Sequence, residues 1–188
     1  MNHYQVGQGT ITLILGDLVD QQVDVIVNAA NNQLAGGGGV DGALHRAAGP
    51  MLLQWCQQIP CDANGCRCPT GEVRVTPAGS LSAQWVIHGV GPIYNHQPPD
   101  LSVQQLRSVH EQALEAAAQR DCQSIAFPAI STGIYGYPVA EAAPVALGTA
   151  RDFLRQNKNP ADIRFVLFNT SHHQAFQQAL NLLSKTTG

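Results

Sequence analysis

Val25 to Pro50 have the sequence VIVNAANNQLAGGGGVDGALHRAAGP, and the rest of the chain can be interpreted from this stretch. The β-branched run from Val23 to Val27 predicts a buried strand. Asn28 and Asn31 follow it, and four consecutive glycines then lead into a helix predicted at about Val40–Ala48. Glycines let the backbone approach a ligand closely, and the free N–H groups at the start of a helix attract anions. The stretch therefore predicts a phosphate site built from main-chain atoms.

Asp41 is the first acidic residue after the glycines. A carboxylate repels an anion bound beside it, so one explanation of its presence at this position is a chemical role. A carboxylate in the first turn also stabilises the start of a helix, and the residues alone favour neither explanation. The spacing Gly37-x-Gly39-x-x-Gly42 fits a dinucleotide fingerprint, but a run of glycines satisfies that pattern easily.

Two motifs follow one another in the chain. The first runs from Asn28 through the glycines to Gly42, and the second is ISTGIYGYP, from Ile130 to Pro138. Together they resemble the macrodomain family, in particular its MacroD-type ADP-ribosyl hydrolases, and the likeness extends from Gly16 to about Leu183. The resemblance implies an α/β fold, a three-layer α/β/α macrodomain with a central mixed sheet of about six strands.

The resemblance also implies a function. It is hydrolysis of the ester that links mono-ADP-ribose to acidic side chains of proteins, or deacetylation of O-acetyl-ADP-ribose, with no cofactor. Asn31 and Asp41 are the implied catalytic residues, Asn31 holding the distal ribose and Asp41 directing a water. The implied ligand-binding residues are Asp17, Leu18, Asn31, Gly37, Gly38, Gly39, Val40, Asp41, Ser131, Thr132, Gly133, Ile134, Tyr135 and Phe168. A reader that binds ADP-ribose without cleaving it and an RNA-associated regulator are the alternatives, and the Asn and Asp pair favours the enzyme.

Several of these residues also have a purely structural explanation. Asp17, the implied partner of the adenine amine, could cap a short helical turn, and the second motif could be only a turn before Pro138. Phe168, implied to stack on adenine, follows a β-type run in which phenylalanine usually belongs to the core. His45 lies four residues after Asp41 and could orient it, although the pattern favours a structural role.

The composition is that of one globular domain covering residues 1–188. Apolar residues make up 44% and charged residues 12%, which is typical of a compact fold. The net charge of −3 argues against a nucleic-acid-binding surface, so an anionic ligand must be held by main-chain donors. Strands and helices alternate from a predicted strand at Thr10–Leu15 to a predicted last helix at Ser171–Leu183. This alternation predicts helices on both faces of the sheet, with the ligand at the strand ends.

The termini and the cysteines give further expectations. No signal peptide or membrane span is present in the sequence, which predicts a cytoplasmic protein whose partners are ADP-ribose, its esters and mono-ADP-ribosylated proteins. The five cysteines are expected to be free thiols, and their spacing predicts no metal site. We expect a monomer with a frayed tail at residues 185–188.

Overall fold

The computed structural model describes residues 2–185, in which strands and α-helices alternate along the chain. The strands are β1 (His3–Val6), β2 (Gly9–Leu15), β3 (Val25–Ala29), β4 (Val73–Pro77), β5 (Trp85–Gly89), β6 (Ser124–Phe127) and β7 (Asp162–Leu167). The α-helices are α1 (Gly39–Ala48), α2 (Pro50–Gln58), α3 (Pro99–Ala118), α4 (Val139–Gln156) and α5 (Thr170–Lys185), with a 3₁₀ helix at Leu18–Asp20. None of these helices is long and apolar enough to cross a bilayer. The tail expected to fray lies outside the described residues, except for Lys185, which ends α5.

The strands form one mixed sheet in the order β1-β2-β7-β6-β3-β5-β4. The five inner strands are parallel, and the two edge strands, β1 and β4, are antiparallel to their neighbours. The sheet thus has seven strands within residues 2–185, one more than the approximate number expected. Parallel strands in this arrangement end at one edge, where ligands bind in folds of this class.

Alternating residues of β3 show why helices cover both faces of the sheet. Val25 and Val27 are fully buried in a core formed with α3, α4 and α5. Ile26 points the other way, into a core that it shares with Leu44 of α1 and Leu52 of α2. Successive side chains of a strand leave opposite faces, so β3 needs a helical layer on each side. The expected three-layer α/β/α fold is confirmed.

The boundaries around the central stretch differ slightly from those predicted. β3 begins at Val25 instead of Val23, because the Val23 N–H donates to the Ser82 carbonyl in a loop and not to a neighbouring strand. Gly49, at φ +83°, separates α1 from α2, and Pro50 opens α2 at a position that suits proline.

Candidate functional site

Two adjoining cavities lie where the parallel strands end. The first, of about 250 Å³, lies between the loop after β3 and the loop after β6. The second, of about 460 Å³, lies beside the ends of β2 and β7. Gly39 and Val40 line both, so the start of α1 separates the two cavities.

Most of the residues expected to bind a ligand line these cavities. The first is lined, among others, by Asn31, Gly38, Gly39, Val40, Asp41, Ser131, Gly133, Ile134 and Tyr135. The second is lined, among others, by Asp17, Leu18, Gly39, Val40 and Phe168. Gly37 and Thr132 line neither. Gly37 lies beside Asp41 and Asn31, while the Thr132 hydroxyl donates to the Ala129 carbonyl within its own loop (2.8 Å).

The glycine loop places the start of α1 against the first cavity. Gly36 and Gly39 have φ of +74° and +57°, a region that side chains disfavour. Gly38 is the N-cap and has no side chain to occupy the first N–H groups of α1, so these can face an anion. A Cβ on Gly42 would overlap the Gly37 carbonyl oxygen. Gly42 therefore allows the loop to fold back onto the helix.

Asp41 is held in place by a hydrogen bond from Asn28, a residue of β3. It is only 6% exposed, and the Asn28 side-chain amide donates to its Oδ1 at 2.7 Å. His45 Nε2 lies 3.4 Å from the same oxygen, within ion-pair distance but without the geometry of a hydrogen bond. Asp41 Oδ2 lies on the other side, 3.4 Å from the position that a Cβ would take on Gly37. One carboxylate oxygen is therefore anchored and the other is directed toward the glycine loop.

Asn31 braces the same loop with its side chain. Its Nδ2 donates to the Gly36 carbonyl at 2.8 Å, and its Oδ1 accepts from the N–H groups of Gln33 (3.1 Å) and Ala35 (3.4 Å). An amide nitrogen carries two protons, so one N–H of Asn31 is left for a ligand in the first cavity.

The loop after β6 forms the opposite wall. Ser131 adopts φ +68°, which is uncommon for a residue other than glycine, and its buried hydroxyl has no partner among residues 2–185. A Cβ on Gly91 would overlap this hydroxyl, so a glycine is required there. Burial raises the pKa of Tyr135, and the charge of Asp41 adds to the effect, so the phenol keeps its proton at neutral pH.

Asp17 and Phe168 face the second cavity. Asp17 Oδ1 accepts from the Val19 N–H at 3.1 Å and caps the 3₁₀ helix, which leaves the other carboxylate oxygen for a ligand. Phe168 follows the end of β7 and is 77% exposed. The core explanation for Phe168 is therefore wrong, and its ring is available at the cavity.

Arg46 was missed by the sequence reasoning. It lines the second cavity together with Val40 and Ala43 of α1. The three residues are spaced three apart and so share one helix face, which is a signal that the sequence contains. The glycine run indicated main-chain donors for the anion, and no basic side chain was expected at the site.

A cluster behind Asp41 was also not predicted. His45, Cys56 and His88 offer possible metal-ligand atoms within 4.8 Å of one another, a set that spacing in the sequence did not indicate. Both ring nitrogens of His88 are already within hydrogen-bond distance of Asn28 and Thr76. Burial raises the pKa of the Cys56 thiol to about 11, with Asp41 adding to the effect, so the thiol stays protonated and unreactive at neutral pH. All five cysteines are free.

Known proteins resemble this chain in sequence and fold. The family model described as Macro domain matches residues 27–146. A Macro domain-containing protein of Xanthomonas axonopodis is 49% identical over 168 residues, covering 88% of this chain and 92% of the relative. An O-acetyl-ADP-ribose deacetylase of Cronobacter sakazakii is 42% identical over 180 residues, covering 96% and 98%. A mutant of the Oceanobacillus iheyensis macrodomain, determined with ADPR, superposes with a TM-score of 0.92 at 42% identity, covering 97% of this chain and 98% of that one. The resemblance inferred from the two motifs is confirmed, and the chain belongs to the Macro domain family.

Proposed function

We propose that this protein binds ADP-ribose across the two cavities and hydrolyses esters at its distal ribose. The substrates are proteins with mono-ADP-ribose on acidic side chains, O-acetyl-ADP-ribose, or both. The observation that carries the proposal is the convergence of Asn31 and Asp41 on the first cavity, beside a helix start whose N–H groups are not capped by a side chain. The deacetylase name of one relative and the ADPR of one structural neighbour agree with it.

The side chains and N–H groups that line the two cavities support one orientation of ADP-ribose. The N–H groups at Gly38–Val40 suit the pyrophosphate, because a helix start stabilises negative charge. The exposed ring of Phe168 suits stacking on adenine, and Asp17 can accept from the adenine amine. The distal ribose then occupies the first cavity, next to the free N–H of Asn31.

Asp41 is proposed to act on water. A water between its Oδ2 and the ribose would give a proton to the carboxylate as its oxygen bonds to the electrophilic carbon of the ester. The C–O bond of the ester then breaks. A freed ribose oxygen takes the proton back from the Asp41 carboxyl and leaves as an alcohol, whereas a freed carboxylate leaves with its negative charge. General-base assistance contributes roughly 10²–10⁴ in rate, and holding the ribose beside the water contributes further.

The test compares wild type with Asp41→Ala and Asn31→Ala. The substrates are an acid-linked mono-ADP-ribosylated protein and O-acetyl-ADP-ribose, and ADP-ribose binding is measured by calorimetry. Asp41→Ala should lower turnover by about 10²-fold or more while binding persists, because the base is lost and the glycine loop remains. Asn31→Ala should lower both turnover and affinity, since this amide also braces the loop.

Asp100→Ala is the matched control. Asp100 also lies in the first turn of a helix, α3, but it is exposed and lines neither cavity. This variant should hydrolyse both substrates like wild type. A wild-type protein that binds ADP-ribose but releases no product from either ester would instead be a reader.

A further inference from the structure

Buried polar side chains continue from Asp41 into the sheet, away from the cavity. Asn28 of β3 is paired with His88 of β5 in adjacent parallel strands, so the two side chains leave the same face of the sheet. Both are 0% exposed, and Thr76 of β4 is 3% exposed. Buried polar groups are costly without partners, so the directions of these hydrogen bonds matter.

The directions follow from counting protons. The Thr76 hydroxyl donates its single proton to the Pro77 carbonyl (3.1 Å), so it can only accept from His88 Nε2 (3.0 Å). The Asn28 amide nitrogen can only donate to Nδ1, so His88 accepts there and carries its proton on Nε2, which also lies 3.5 Å from the Cys56 Sγ. The Asn28 amide nitrogen donates one proton to His88 Nδ1 (3.2 Å) and one to Asp41 Oδ1 (2.7 Å).

The other tautomer of His88 would break this arrangement. With its proton on Nδ1, the ring would face the Asn28 amide donor with a second donor. The amide would then turn by half a rotation and present its oxygen both to His88 and to Asp41. An amide oxygen against a carboxylate oxygen repels, so the carboxylate would lose its anchor.

We propose that His88 is a positioning residue for Asp41, acting through the Asn28 amide, and that Thr76 sets the tautomer in which it can do so. This inference rests on the proposed function, because it gives Asp41 Oδ2 its orientation toward the water. His88 does not touch the ligand. The side chain of Asn28 has no other partner among the described residues to fix its orientation, since its Oδ1 is buried and unbonded.

The protonation state of His88 is consistent with this role. Burial lowers the pKa of His88 to about 4, with His45 acting in the same direction and Asp41 opposing it. The ring is therefore neutral at neutral pH, and one of its nitrogens remains an acceptor.

The test uses His88→Leu and His88→Gln with O-acetyl-ADP-ribose as substrate and calorimetry with ADP-ribose. Loss of the acceptor in His88→Leu should lower kcat about 10- to 100-fold, the range found when hydrogen-bond partners that orient metal ligands are replaced. The dissociation constant for ADP-ribose should stay unchanged. The glutamine amide oxygen can accept from Asn28, so His88→Gln should recover part of the loss.

Thr76→Val and Thr76→Ser test the tautomer without removing the ring. Thr76→Val removes the oxygen acceptor at Nε2 and leaves only the Cys56 sulfur, a weak acceptor at 3.5 Å, so kcat should fall roughly tenfold. Thr76→Ser keeps the hydroxyl and should match wild type. Nitrogen NMR of the His88 ring should show one protonated Nε2 in wild type and a mixture of tautomers in Thr76→Val. Thr149→Val is the matched control, because Thr149 is 2% exposed and donates to the Val145 carbonyl within α4, far from this chain of bonds.

The outcomes separate this inference from the proposed function. An active wild type whose Leu and Val variants keep full kcat overturns the inference alone. Losses of kcat that follow only a drop in ADP-ribose affinity or thermal stability also overturn it. A wild type that binds ADP-ribose but hydrolyses no ester overturns the proposed function and this inference together. If His88→Leu does not fold, the pair of Thr76 variants decides the question.

Discussion

Some side chains in this cleft stabilise the fold and are also proposed to bind the ligand. One oxygen of Asp17 caps the 3₁₀ helix, and both ends of the Asn31 amide brace the glycine loop. A substitution at either residue therefore changes stability and binding together. Asp41 differs, because its hydrogen bond to Asn28 leaves Oδ2 uncommitted. Turnover should therefore be separable from binding at Asp41 more cleanly than at Asn31.

Phe168 gives a test of the second cavity. Phe168→Ala should weaken ADP-ribose binding by about 1–3 kcal/mol, the usual contribution of a base stacked on an aromatic ring. The melting temperature should hardly change, since the ring is 77% exposed. Calorimetric titration with ADP-ribose measures the effect. Leu182→Ala is the control, because Leu182 is 65% exposed on α5 and lines neither cavity. Equal affinities of the two variants for ADP-ribose would show that Phe168 does not contribute to adenine binding.

The sequence allowed prediction of residues that lie within one motif. Asn31, Asp41 and the glycines are neighbours in the chain, so their convergence could be anticipated from a strand, loop and helix alone. The partnership of Asn28, His88 and Thr76 could not, because it depends on which strands are adjacent and in what register. Arg46 lies between these cases. The sequence indicates that it shares a helix face with Val40 and Ala43, but not that this face lines the second cavity.

At the scale of the element, the contact between α1 and the glycine loop before it determines the geometry of the first cavity. Gly42→Ala would place a Cβ on the Gly37 carbonyl oxygen, so the loop must move. We expect a stability loss of about 1–3 kcal/mol, as for other overpacked sites. Turnover of O-acetyl-ADP-ribose should fall by about 10²-fold, because a shift of the glycines misplaces the ribose against Asp41.

The control for this change is Gly148→Ala in α4. A Cβ at Gly148 meets no atom within 4 Å, and alanine suits a helix better than glycine by about 0.5–1 kcal/mol. That variant should be slightly more stable than wild type and equally active. Chemical denaturation and a turnover assay on both variants measure the difference, and unchanged activity in Gly42→Ala would contradict the expected loop movement.

The elements themselves were largely predictable, and their ends were not. The predicted strand at Thr10–Leu15 begins at Gly9, and the predicted last helix at Ser171–Leu183 runs from Thr170 to Lys185. Apolar periodicity indicates that an element exists, whereas its ends depend on hydrogen bonds to distant segments. The bond from the Val23 N–H to the Ser82 carbonyl, which keeps Val23 out of β3, is one example.

For the whole molecule, two buried histidines predict acid sensitivity. Burial lowers the pKa of His88 and of His110 from 6.5 to about 4, so both are neutral in the folded protein at neutral pH. Between pH 6.5 and 4 the unfolded chain binds more protons than the folded one. The free energy of unfolding should therefore be highest above pH 6.5 and fall toward pH 4, by up to about 1.4 kcal/mol per pH unit for each histidine.

Urea unfolding at intervals between pH 7 and pH 4 measures this slope. His110 packs against Phe127 and Phe165 in the core formed with α3, α4 and α5. His110→Leu removes one titrating group, so its slope should be shallower than that of wild type whatever its stability at pH 7. Parallel slopes for the two proteins would show that His110 does not contribute.

The pairing of β2 with β7 has a consequence for synthesis on the ribosome. β2 is translated well before its parallel partner β7, and the two strands pair with Thr10 opposite Asp162 and with the Gly16 N–H donating to the Leu167 carbonyl. The strands β6, β3, β5 and β4 are neighbours in the sheet and are all translated before β7. Chains emerge at about 5–20 residues per second, so Phe168 is translated roughly 8–30 seconds after Asp17. The elements around the glycine loop can therefore assemble before β7 is made, whereas the second cavity is complete only after Phe168 has been translated.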